Sequence, residues 1–138
     1  MIAVLRGITC TFVESAEPAG PTSGSLHAAL REVGPDAHVD AIVVLLADMV
    51  HVTSTMIAAL ISATRVGTAP LEVSSYGGVF APPLLFRRPL WSELLAWHGD
   101  GCGKSVVIAH REEAGIHEWP ADDLRDVDTP ADYEALSR

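Results

Sequence analysis

Seven consecutive apolar residues, Ala41-Ile-Val-Val-Leu-Leu-Ala47, limit what this chain can fold into more than any other feature. A run with no polar position suits a strand of a parallel sheet covered on both faces, because neither side of its pleat is left for water. It falls far short of the roughly 20 residues needed to cross a bilayer. Asp48 ends it abruptly, and Thr53 then offers an N-cap for a helix over Ser54 to Thr64, where Met56, Leu60 and Ile61 recur at helical spacing.

Around this unit the chain alternates strand and helix signals. Ile8 to Val13 reads as a strand from its β-branched and aromatic residues, and Glu14 to Ser25, rich in Pro, Gly and Ser, reads as a loop. Ser25 can cap a helix over Leu26 to Val33 that Gly34-Pro35 closes. Leu71 to Ser75 is a short strand and Tyr76-Gly77-Gly78 a turn, while Pro82-Pro83 forces an extended approach to Leu84-Leu85-Phe86. Leu90 to Trp97 and Lys104 to His110 read as helices, Gly115 to Trp119 as a strand, and Thr129-Pro130 as the capped start of a final helix to Leu136. The expected fold class is α/β, with a mostly parallel sheet and helices on both faces, in one domain spanning residues 1–138.

The charge balance narrows the function. Nine Lys plus Arg against 18 Asp plus Glu give a net charge of −9, which repels phosphate backbones and argues against nucleic-acid binding. Cys10 and Cys102 lie far apart with no Cys-x-x-Cys spacing, as expected of reduced thiols in a cytoplasmic protein. The first residues show no signal-peptide pattern, since Arg6 follows the short apolar run instead of preceding it. No membrane partner is expected.

Ligands of open parallel sheets bind beyond the carboxyl ends of the strands, which makes Asp48 the leading site candidate; the competing reading is an aspartate that only accepts loop N–H bonds. A second acidic locus, Asp126-Val127-Asp128, precedes the final helix. Alternation across Val127 directs both carboxylates away from the core if the segment is extended, so either could meet a metal held by Asp48. Gly99-Asp-Gly-Cys-Gly-Lys-Ser105 superficially matches a P-loop, but His98 stands where the first glycine is required and the segment follows a helix, not a strand. It reads instead as a Gly-rich helix entrance. The six histidines show no zinc or metalloprotease spacing; His51, three residues after Asp48, could approach a ligand.

Leu45-Leu-Ala-Asp48-Met49 and Asp126-Val-Asp128-Thr-Pro-Ala-Asp132-Tyr together resemble the molybdenum-cofactor nucleotidyltransferase family, especially its cytidylyltransferase branch. Between them, Ser23-Gly24-Ser25-Leu26 looks like the family's helix entrance, Tyr76 to Phe86 like its hairpin, and Gly99-Asp100-x-x-Gly103 like its Gly-Asp-x-Gly loop, all in collinear order over about Ile8 to Leu136. The resemblance implies a Rossmann-like three-layer domain in which Asp48 and Asp128 hold Mg²⁺ and act in catalysis. Ser23, Gly24 and Ser25 would bind nucleotide, and Pro83 and Asp100 the second substrate. The implied reaction is attack of a molybdopterin-type phosphate on a nucleoside triphosphate, CTP favoured over GTP, with release of pyrophosphate.

The family's opening Leu-Ala-Ala-Gly-x-Ser-x-Arg-Met-Gly loop and its Lys do not occur here, and Met49-Val50 replaces the expected Met-Pro. The chain therefore resembles the latter two thirds of the domain, an N-terminally truncated form that needs a missing segment or partner for full activity. The alternative is a noncatalytic binding or assembly module acting in molybdoenzyme maturation. Absent neighbouring strands would leave an edge of Ala41 to Ala47 bare, so a homo-oligomer or a complementing polypeptide is expected.

Overall fold

The computed structural model describes residues 8–16, 19–125, 127, 129 and 134. Four strands form one mixed sheet in the order β1-β3-β2-β4, with β1 at Ala41–Val44, β2 at Leu71–Tyr76, β3 at Val79–Arg87 and β4 at Gly115–Trp119. β2 and β4 pair in parallel, whereas β3 runs antiparallel to both β1 and β2. The α/β class is as expected, but the sheet is less parallel than its apolar strands suggest. The reason is the connection between β2 and β3: Gly77 and Gly78, at φ of 60° and 87°, reverse the chain at once, where a parallel pair needs a long crossover.

Helices α1 (Thr22–Val33), α2 (Ser54–Val66), α3 (Trp91–Ala96) and α4 (Lys104–Ala109) flank the sheet. Leu30 of α1, Leu94 of α3 and Val106 and Val107 of α4 pack with Leu71, Val73, Leu84 and Phe86 in the main core. Alternation along β2 turns Tyr76 to the opposite face, where it meets Met56 of α2 and Met49. Thr53 caps α2 as its sequence predicts, its Oγ1 accepting the Met56 N–H at 3.3 Å. Among the described residues no helix is long and apolar enough to cross a membrane.

Three expectations are corrected. Ile8 to Val13 is not a strand; Ile8, Phe12 and Val13 are exposed on an irregular segment, because β-branched residues favour a pleat only where a neighbouring strand supplies the ladder. β1 stops at Val44 instead of Ala47, and it is an edge strand. Helix α1 starts at Thr22, not Leu26, because its cap is not Ser25: Asp100 Oδ1 accepts the Thr22 N–H at 3.0 Å. Pro82 and Pro83, joined by a cis peptide, sit inside β3 where the register with β2 shifts from Val73↔Leu84 to Ser74↔Ala81. Neither proline faces a ladder partner, so their missing N–H groups leave no hydrogen bond unmade. The helix expected from Pro130 to Leu136 lies, apart from Glu134, outside the described residues.

Candidate active site

Beyond the carboxyl end of β1 the chain continues as Leu45-Leu46-Ala47 into a turn that carries Asp48 and His51. Two further segments meet it there. Thr22 and Ser25 of α1 line one groove with Leu45, Leu46 and Cys102, which brings the helix entrance and the Gly99–Gly103 loop to this end of the sheet. Val127 donates its N–H to the Asp48 carbonyl at 3.1 Å, so the residue between Asp126 and Asp128 is bonded to the Asp48 turn. Asp128 itself, like Asp126, lies outside the described residues.

The Asp48 carboxylate is the group in this region with the strongest call for a ligand. Its Oδ1 is buried and has no hydrogen-bond partner among the described residues, and the same holds for Nε2 of His51. An unpartnered buried acceptor costs about 1–3 kcal/mol, more when charged, and no described loop N–H meets this oxygen. A hard oxygen donor in that state fits Mg²⁺ or Mn²⁺. Among the described residues no three His, Cys, Asp or Glu side chains converge as a metal site, so a cation at Asp48 would need donors beyond them.

Asp100 and Ser23 lock the loop to α1. Asp100 caps Thr22, Ser23 Oγ accepts the Gly99 N–H at 3.1 Å, and the Ser23 N–H returns to the Gly99 carbonyl at 3.1 Å. Ser23 is buried in this exchange. Gly24 lines a cavity of about 470 Å³ with His27, Arg31 and His98, on another side of α1 from the groove of about 480 Å³ that Ser25 lines. The three residues of the helix entrance thus do not present one common surface.

Pro83 is fully buried, while its neighbour Pro82 lines a cavity of about 170 Å³ together with Leu46, Phe80, Cys102 and Lys104. The turn facing that cavity runs through three consecutive left-handed residues, Gly101, Cys102 and Gly103, at φ of 94°, 53° and 83°. A Cβ on Gly103 would meet Leu94 Cδ2 at 2.7 Å, so glycine is required there for packing as well as for its φ. Cys102 holds the same region of φ despite its side chain, at a cost on the order of 1–2 kcal/mol. Burial pushes its thiol up from the ordinary range, and the Asp48 and Asp100 carboxylates push it further, which puts both negative charges within electrostatic reach of the turn.

Sequence reading did not single out Lys104 or Cys102 as neighbours of this site. One signal was available: Lys104 is the sole lysine of the chain. A half-buried pair on the sheet was missed as well, buried Glu72 with His117 Nε2 at 2.9 Å, whose trace was a charged residue between Leu71 and Val73.

The MobA-like NTP transferase domain matches residues 2–114 of the chain. Among solved structures, the chain is similar to the Mycobacterium tuberculosis Rv0371c homolog from Mycobacterium sp. strain JC1, at 32% identity and TM-score 0.68 over 85% of this chain and 57% of that one. It is also similar to Rv0371c from Mycobacterium tuberculosis H37Rv, at 27% identity and TM-score 0.67 over 83% of this chain and 58% of that one. A manganese complex of Rv0371c matches at 26% identity and TM-score 0.62, over 81% and 59% of the two chains. Molybdopterin-guanine dinucleotide biosynthesis protein A from Archaeoglobus fulgidus shares the fold alone, at 15% identity and TM-score 0.54 over 88% of this chain and 63% of that one. The chain thus spans under three fifths of the length of each of the first two solved relatives, at 57% and 58%. No protein of curated function matches it significantly.

Proposed function

Because the chain belongs to the MobA-like NTP transferase domain family, we propose that it is a metal-dependent nucleotidyltransferase acting on a nucleoside triphosphate and a molybdopterin-type cofactor. The preferred nucleotide is CTP, on the strength of the Ser23-Gly24-Ser25 helix entrance. An oxygen of the pterin phosphate forms a bond to the α-phosphorus, the α–β anhydride bond breaks, and pyrophosphate leaves. The observation that carries the reading is the buried, unpartnered Oδ1 of Asp48 on a turn bonded to Val127, the residue directly before Asp128.

In this reading Asp48 and Asp128 hold a divalent cation, Mg²⁺ by preference; the manganese complex of Rv0371c supports a divalent ion in the family. The cation, when bound, supplies charge neutralisation between two anionic substrates and orientation for in-line displacement. The chain's own residues do the placing. Asp100 and Ser23 hold the start of α1 against the Gly99–Gly103 loop, and Val127 fixes the Asp48 turn through its carbonyl. The protein acts in the cytoplasm, where unpaired Cys10 and Cys102 stay reduced, as an oligomer or with a complementing polypeptide along the outer edge of β1.

Thermal unfolding with and without Mg²⁺ or Mn²⁺ tests the site. Ligand at 100 Kd stabilises a fold by about 2.7 kcal/mol, and Asp48→Asn should lose most of that gain. A metal-dependent rise in melting temperature that survives Asp48→Asn assigns the cation elsewhere.

A further inference from the structure

Two parts of this chain carry strand character and lack a partner among the described residues. The first is the outer edge of β1: the run Ala41 to Ala47 holds none of the charges or prolines that keep natural edge strands from pairing. Beside it lies the groove of about 480 Å³, walled by Leu26, Ala29 and Val33 of α1 and by Ile42, Val43 and Leu45. The second is Ile8-Thr-Cys-Thr-Phe-Val13, which has no charge, glycine or proline and is exposed at every position. Ile8 keeps 61% and Phe12 50% of its surface in water. Every residue of the segment except Cys10 is β-branched or aromatic, which suits a pleat.

The two parts do not meet within one copy. Ser15 Oγ lies 3.1 Å from where a Cβ on Gly24 would stand, and Glu14, Ser15 and Ala16 line the cavity of about 470 Å³ with His27 and Arg31, on the side of α1 turned away from the groove. From Ser15 the two residues back to Val13 reach at most about 7 Å. A helix is about 10–12 Å across, so the segment does not pass α1 to its own β1 while that anchor holds. A second copy meets no such limit.

We propose that Ile8–Val13 of one copy adds as a fifth strand to the outer edge of β1 of a second copy, and that the exchange is reciprocal. Each copy carries both the donor segment and the acceptor edge, so the reciprocal pairing closes as a two-fold dimer. Alternation puts Ile8, Cys10 and Phe12 on one face of the added strand, where they fill the apolar groove, and the two threonines with Val13 on the other. Neither surface is charged, so the repulsion between two chains of net charge −9 falls on more distant groups, which physiological salt screens over about 8 Å. The inference rests on the association proposed above and specifies its partner and its segment.

Light scattering of the full chain at micromolar concentration reads the mass. Wild type should be a dimer. Thr11→Pro removes a ladder N–H at an exposed position, away from the core and the Asp48 turn, and should weaken the dimer by about tenfold or more. Cys10 reports the contact directly, because it lies in the exchanged segment and is exposed while Cys102 is buried. Ile42→Cys and Val43→Cys, made separately, sample both faces of β1; each is prepared as a mixture of unlabelled and ¹⁵N-labelled copies, oxidised mildly and digested. In at least one of them Cys10 of one copy should link to the introduced thiol of the other, and Cys10→Ser should abolish the link. A monomeric wild type, a dimer unchanged by Thr11→Pro, no link in either variant, or links only within single copies overturns the inference. The metal-dependent rise in melting temperature and its loss in Asp48→Asn are read on the same samples, and their persistence in a monomeric wild type removes this inference alone and leaves the transferase reading standing.

Discussion

β1 has a strand on one side only, whereas β2 lies between β3 and β4. All four residues of β1 are apolar and all four are half-buried, while β2 carries Glu72, Ser74 and Ser75 and is buried at every position. Position in the sheet, not side-chain polarity, decides which strand loses its water. Most polar groups of β2 are tolerated because they find partners: Glu72 takes His117 Nε2 at 2.9 Å, Ser74 Oγ takes Trp119 Nε1–H at 2.9 Å, and Tyr76 donates to the Pro82 carbonyl at 2.9 Å, while Ser75 Oγ is buried with no partner among the described residues. The apolar residues of β1 are only half-covered because nothing described pairs with their outer edge, and a groove of about 480 Å³ runs between them and α1.

The widest separation between the two strands should appear in truncations. Leu71→Ala removes a side chain with 0% exposure and should cost about 2–5 kcal/mol in denaturant unfolding; Val43→Ala should cost about 1 kcal/mol or less. If Val43→Ala proves equally severe, the outer edge of β1 is covered in solution. Light scattering at micromolar concentration would then show whether a second copy covers it, as the expected association predicts.

A smaller effect tests the polar pairs of the enclosed strand. Trp119→Phe leaves the buried Ser74 hydroxyl short of its donor and should cost about 1–3 kcal/mol. Ser74→Ala in the same background should cost less than it does alone, and strict additivity of the two would mean that the bond contributes nothing.

The smallest effect belongs to Cys102, at the junction of the two regions. Its folded-state pKa is raised, first by burial and then by Asp48 and Asp100, so its contribution is complete below the ordinary thiol value of 9.0 and is lost as pH rises through the folded value. Stability should therefore fall above about pH 9, with a slope of at most about 1.4 kcal/mol per pH unit from this group. Cys102→Ala should flatten the fall, and exposed Cys10 should react with thiol reagents well before Cys102. Equal reactivity of the two would show that the Cys102 turn opens readily.

The sequence by itself determined the order of the elements from α1 to β4, the Thr53 cap, the Gly77-Gly78 reversal and the placing of Asp48 just past an apolar strand, because each is written in residues close together along the chain. Local pattern misled where it met no neighbour: Ile8 to Val13 had strand composition and no ladder to join. Only the tertiary structure decided that β3 would run antiparallel between β1 and β2, and that the most apolar run would lie at an edge. It alone decided that Asp100 would cap α1 across 78 residues of sequence. It also made Gly115 the residue that admits Glu72, whose Oε2 lies 1.9 Å from where a Cβ would stand. Lys104 reaches the Asp48 end of the sheet by the same route. Such pairings join residues far apart in the chain, and hydrophobic periodicity, which records only which face of its own element a residue occupies, carries no trace of them.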